Sequence, residues 1–164
     1  MDFIRNFPFF SIIICMFSGI ISSVLNGKKA RNLCFGAVGM VTVLSACVLF
    51  YTIQTGAAYT YMMGHFPAPW GNEIRAGILE GVLATTFSLI LLLSLVSAYH
   101  RTAEDIEESK LNLFYLLVDL LLSSLLAIIY TNDLFTAYVF VEINTIAACG
   151  LIMIRQIGRT FGAA

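Results

Sequence analysis

The sequence predicts an all-α integral membrane protein of about five transmembrane helices, N-terminus outside and C-terminus cytoplasmic. Three observations carry this. Hydrophobic residues make up 59% of the 164 and charged residues only 12%, with a mean hydropathy of +0.89, whereas a soluble domain carries about 25% charged residues. Five apolar stretches each approach the roughly 20 residues needed to cross a hydrocarbon core of about 30 Å. The lysines and arginines also segregate by loop.

The first span covers about 7–25 and ends at the basic turn Asn26-Gly27-Lys28-Lys29-Ala30-Arg31; the second covers about 33–53. A link over 54–75 follows, rich in Gly, Tyr and Pro. There Pro67 and Pro69 block a helix, Gly64 and Gly71 bracket them, and Tyr59, Tyr61, Phe66 and Trp70 suit a membrane interface. The stretch from Tyr59 to Met63 can pair as a short strand. Neither His65 nor Glu73 has a metal-spaced partner. The third span covers about 76–99 and leads into a charged loop from His100 to Lys110; its acidic residues read as a solvated connection or a partner's docking site. The fourth covers about 111–130, and Thr131-Asn132-Asp133 turn it into the fifth, about 134–154. The whole chain, 1–164, reads as one membrane domain. If the first connection is cytoplasmic, that side holds Lys28, Lys29, Arg31, Arg101, Lys110, Arg155 and Arg159, leaving only Arg5 and Arg75 opposite. This is the charge bias of an N-out, C-in protein.

Other classes are excluded by what is missing. A net charge of −1 without a basic cluster argues against nucleic acid. Cys15, Cys34, Cys47 and Cys149 lie inside apolar stretches without metal or redox spacing, and read as small buried hydrophobes. No cleavage site follows the first residues, so a removed signal peptide is not expected. There is no redox cofactor site, nucleotide loop or catalytic triad, so neither a cofactor nor a catalytic role is expected.

Two acids break the pattern. Glu142 is the single charge between Asp133 and Arg155. A carboxylate at mid-bilayer costs about 3 to more than 10 kcal/mol, depending on relief by water and bilayer defects. That cost makes Glu142 the leading ion-handling candidate; the plain alternative is a protonated acid used for helix packing. On the same helix Tyr138, Glu142, Thr145 and Cys149 form one stripe at i, i+4, i+7, i+11. Asp119 is the second acid, with Ser123 stacked above it at i+4. Each acid is eight residues from the start of its span, about 12 Å deep, so their heights differ by roughly 6 Å. The short turn makes the fourth and fifth spans antiparallel neighbours about 8–10 Å apart. If they face each other, Asp119 and Glu142 share a wet pocket; packing is the equal alternative for Asp119. Glu80, four residues into the third span, reads as an interface residue. The spans hold no buried lysine or arginine, so the counter-charge a proton carrier needs is either Asp119 or a cation from another polypeptide.

The run Asn132-Asp133-Leu134-Phe135-Thr136-Ala137-Tyr138-Val139-Phe140-Val141-Glu142-Ile143, with Ile146-Ala147-Ala148 after it, resembles the fifth-span motif of antiporter-like membrane subunits. These occur in respiratory complex I, Mrp-type sodium/proton antiporters and membrane-bound hydrogenases. The link from Gly64 to Ile74 resembles the family's external Pro-x-Pro-aromatic-Gly stretch. The resemblance is strong from about Gly64 to Leu151; the first two spans agree only in hydropathy. It implies that Glu142 is the essential carboxylate, paired in the family with a lysine two spans later, inside the first of two inverted five-helix repeats. This sequence stops after the fifth span, so the expectation is a split or truncated half. Asp119 departs from the family pattern.

The expected function is therefore an ion-translocating subunit, for proton or sodium, in a Mrp-, hydrogenase- or complex I-type assembly in the cell (inner) membrane. Its expected partners are the lipid bilayer and other integral membrane subunits, one of which supplies buried lysines. The competing readings are a structural subunit that moves no ion, and a small proton-coupled transporter.

Overall fold

A computed structural model describes residues 3–62, 73–99, 102 and 106–154. A 3-10 turn, Ile4–Asn6, runs into α1 (Phe7–Val24), where Pro8 occupies the first turn and costs no hydrogen bond. Only Leu25 and Asn26 separate α1 from α2 (Gly27–Thr55). Gly56, at φ 66, then ends α2 by returning its N–H to the Thr52 carbonyl at 3.0 Å. β1 (Tyr59–Met62) and β2 (Glu73–Ala76) pair antiparallel, with Tyr59 opposite Ala76 and Met62 opposite Glu73. Three helices and a second 3-10 turn complete the order: α3 (Ile78–Ala98), the turn Glu108–Lys110 that leads into α4 (Leu111–Tyr130), and α5 (Leu134–Met153). Among the described residues, five helices are long and apolar enough to cross a membrane.

Every long helix but the second starts and stops within two residues of the apolar stretch read from hydropathy. α2 is the exception, starting six residues early. Lys28, Lys29 and Arg31 thus lie on its first turns and not in a loop. Hydropathy marks where the bilayer begins, whereas a helix continues through the interface wherever its basic side chains can snorkel. At 29 residues, α2 is about 43 Å long. The strand expected at Tyr59 is present, and β2 takes the residues just before α3. Tyr59 is not an interface ring: it is 7% exposed, meets the Tyr51 ring edge to face and lies under the Arg5 guanidinium. Burial pushes its hydroxyl up to about 12; Tyr51 adds to the rise and Arg5 opposes it. The stretch around Pro67 and Trp70, the acids Glu104 and Asp105, and the tail from Arg155 lie outside the described residues.

α4 is the hub, packing against α1, α2, α3 and α5. The approach on α1 is close because its inner stripe, Ser11, Cys15, Ser18, Gly19 and Ser22, is small and buried. α3 meets α2 through Gly81, Ala84 and Ser88, again small and buried. α5 differs from the rest. Its one substantial neighbour among the described residues is α4, and only 6% of its apolar window is buried, against 56% for α4. Two cysteines depart from expectation as well: Cys47 and Cys149 point outward, while Cys15 and Cys34 are buried. An apolar flank places a residue in the membrane, but in a membrane protein both inner and outer faces are apolar.

Candidate ion-handling carboxylates

The two acids occupy opposite kinds of surface. Tyr138, Glu142, Thr145 and Cys149 are all exposed, so the stripe read from their spacing is the outer face of α5. One turn before the acid, the Tyr138 hydroxyl lies near the Glu142 carboxylate. Thr145 turns back onto its own helix, donating to the Glu142 backbone carbonyl at 2.8 Å. The inner face of α5 packs through Ala147, wholly buried, and Gly150, which sits against Leu117 of α4.

Asp119 is 0% exposed. The Ser18 hydroxyl of α1 donates to its Oδ2 at 2.6 Å, and Gly19 lets the α1 backbone lie against its side chain. The Cys34 thiol of α2, a weak donor, lies against the same carboxyl. Oδ1 makes no hydrogen bond to any described group. Ser123, one turn away on α4, is buried and donates to the Leu120 carbonyl at 3.0 Å.

The expected pocket shared by Asp119 and Glu142 does not form. Leu117, which packs under Gly150, marks the α4 face toward α5. Asp119 is two residues on, about 200° around the helix, and points to α1 and α2. Glu142 points away from the bundle. Ser18 and Cys34 are absent from the residues expected at the site, although the spacing of Ser11, Cys15, Ser18 and Ser22, at i, i+4, i+7, i+11, already marks a small polar stripe on α1.

The turn that aims α5 is built from specific contacts. Asp133 caps α5, its Oδ2 accepting from the Thr136 N–H at 2.9 Å and the Thr136 hydroxyl at 2.6 Å. These bonds hold its carboxyl below the usual carboxylate range. The Asn132 N–H donates to the Glu73 carbonyl at 2.9 Å, and Thr131 bridges to Ile74, so the ribbon and the α4–α5 turn are one structure.

At the opposite end of the helices, a cleft of about 670 Å³ opens between the α1–α2 turn, the first turns of α2, Tyr99, Glu108 and the start of α4. Lys28, Lys29, Arg31, Asn112 and Tyr115 are among its lining residues. Arg31 stacks on the Tyr99 ring, 4.3 Å from its centroid.

This arrangement of helices has known counterparts. No protein-family model matches the chain. It is 30% identical over 152 residues to the NADH-quinone oxidoreductase subunit N of Desulforudis audaxviator, covering 90% of this chain and 30% of that protein. It is 27% identical over 151 residues to a Na(+)/H(+) antiporter subunit of Bacillus subtilis, covering 92% and 30% respectively. The chain therefore spans about 30% of the length of these curated relatives. In fold it superimposes on a chain of the Mrp complex from Dietzia sp. DQ12-45-1b with a TM-score of 0.80 at 17% identity, covering 94% of this chain and 28% of that one. Over the five helices that carry both acids, this chain is homologous to antiporter-like membrane subunits, about 30% of whose length it covers.

Proposed function

We propose that this chain is part of an ion-translocating membrane assembly, a single membrane domain in which Glu142 is the ion-handling carboxylate and Asp119 a second one. One observation carries the reading: a carboxylate and a tyrosine stand on the outward face of a membrane-length helix whose one substantial neighbour among the described residues is α4. A carboxylate facing lipid costs about 3 to more than 10 kcal/mol, so that face is covered by further helices and Glu142 lies at their junction. The covering partners are other integral membrane subunits, one of which supplies a buried lysine to Glu142. The name of one relative, a Na(+)/H(+) antiporter subunit, supports proton or sodium as the ion. The charge bias of the loops supports the ribbon end outside and the α1–α2 turn in the cytoplasm, in the cell inner membrane.

Glu142→Gln tests the reading, because it keeps shape and hydrogen bonding while removing the titratable proton. Coupled ion movement in membrane vesicles is lost while the assembly purifies intact, and Glu142→Asp retains part of it. Transport at the unmodified rate by an intact Glu142→Gln assembly would leave the chain a structural subunit.

A further inference from the structure

We infer that Asp119 is a proton-exchange site of its own, filled and emptied through the cleft at the α1–α2 turn and not through Glu142. The inference rests on the ion-translocating reading above and adds a second, separately reached carboxyl to it. Contacts between the three helices around the acid fix their register. Gly27 of α2 lies against Leu111 of α4, so Arg31 stands level with Tyr115 and Cys34 nearly level with Asp119. α1 runs the other way: Ser18 bonds Asp119, and the Ser23 carbonyl accepts from the Asn112 side chain at 2.9 Å, which sets Ser22 near Tyr115.

Each helix therefore supplies one polar group at the level of the acid and another about one turn, or about 5.4 Å, nearer the cleft. The upper level is Ser18, Cys34 and Asp119; the lower is Ser22, Arg31 and Tyr115. Arg31 and Tyr115 line the cleft. Of these groups, Asp119 Oδ1, Ser22 Oγ and Arg31 Nε are buried atoms without a hydrogen-bond partner among the described residues. Buried polar atoms are rarely left so, and a water needs two to four polar partners. An orphan oxygen on the carboxyl, with two more orphans on α1 and α2 between it and an open cleft, is what a short water column requires. Along it the Asp119 carboxyl passes its proton to water, becoming a carboxylate as hydronium forms in the cleft, and recovers it by the reverse step.

The titratable and charged groups around the acid fit a carrier that is not pinned. Cys15 of α1 and Cys34 of α2 lie near it, with Arg31 and Tyr115 a turn lower. α5 carries Glu142 on its far face, and the described acid of α3, Glu80, sits in that helix's first turn, at the ribbon end.

The test is pH-induced infrared difference spectroscopy of the intact assembly in native-membrane vesicles, following the protonated carboxyl C=O stretch. Asp119→Asn removes one pH-dependent carboxyl band that Glu142→Gln leaves in place. In heavy water that band shifts as the site exchanges. The double variant Ser22→Ala/Tyr115→Phe, which removes only two hydroxyls, slows the shift by roughly tenfold, or about 1.4 kcal/mol on the barrier. Spectra unchanged by Asp119→Asn, or exchange at the unmodified rate in the double variant, overturn the inference. Either result leaves the Glu142→Gln transport assay untouched, so the two readings fail separately.

Discussion

The contact between Ser18 and Asp119 ties the fold to its buried acid, and its worth can be measured. At 2.6 Å it is at the short end for an O–H···O bond. Because Oδ1 already lacks a partner among the described residues, Ser18→Ala leaves the carboxyl without a hydroxyl donor. Stranding a buried acceptor costs about 1–3 kcal/mol, whereas side-chain hydrogen bonds inside membranes average about 0.6 and reach about 1.7 kcal/mol in double-mutant cycles. A short bond to a carboxyl belongs near the upper end, so Ser18→Ala should lower stability by about 1.5 kcal/mol. With Asp119→Leu in place the polar group is gone, and the same Ser18→Ala change should cost less than about 0.5 kcal/mol. The double variant Ser18→Ala/Asp119→Leu should then fall close to the unmodified protein, since replacing both partners by apolar groups of similar shape is nearly neutral. Reversible unfolding in mixed micelles reads all four corners of the cycle. If the two single costs add within about 0.5 kcal/mol, the partners are uncoupled and the buried pair contributes nothing specific.

Three further outcomes follow from other parts of the fold. Cysteine-accessibility labelling of the assembly in vesicles should find 54–75 outside and Lys28–Lys29 inside; a cytoplasmic signal near Pro67 would reverse the orientation. Gly81→Ala should destabilise by about 1–3 kcal/mol relative to Gly39→Ala in thermal unfolding. A Cβ at Gly81 stands 3.1 Å from the Leu49 Cα, which cannot swing aside, whereas one at Gly39 meets nothing within 4 Å; equal melting of the two would refute the close approach. Asp133→Ala should loosen the start of α5. Because the folded carboxyl titrates below its usual range, its contribution is full at neutral pH and disappears as pH falls through that depressed value. The protection factor of the Thr136 amide, taken against the intrinsic exchange rate at each pH, should fall in acid for the unmodified protein and be low at every pH for Asp133→Ala.

Much of this was legible in the residues. The boundaries of α4 were readable because its flanks change abruptly, from Glu108-Ser109-Lys110 to leucines at one end and to Thr131-Asn132-Asp133 at the other. The stripe from Tyr138 to Cys149 was readable because helical spacing alone sets a common face. The direction Asp119 points was not. Leu116, Leu117, Leu120 and Leu121 surround it with equally apolar neighbours, so no hydrophobic asymmetry indicates which side of α4 meets α5. That choice was made by small residues elsewhere, Ser18 and Gly19 on one side and Gly150 on the other. The early start of α2 was hidden for a different reason: its basic residues are good helix formers and poor bilayer residues.

The ribbon stitched to the α4–α5 turn acts as a depth stop. α5 has bare flanks over most of its length, so packing alone gives it little resistance to sliding or rolling. Its starting point is nevertheless pinned by Asn132 on Glu73, Thr131 on Ile74 and the Asp133 cap. Counting from that stop, Glu142 hangs about 12 Å below the ribbon, on a heading fixed by eight helical steps. One residue inserted between Thr136 and Glu142 would lower the carboxylate by about 1.5 Å and turn it by about 100°, toward a different neighbour, with every side chain of the site still present. The position of the acid is thus stored in a two-stranded ribbon far along the chain from it, and loosening that ribbon detunes the carboxylate without touching it.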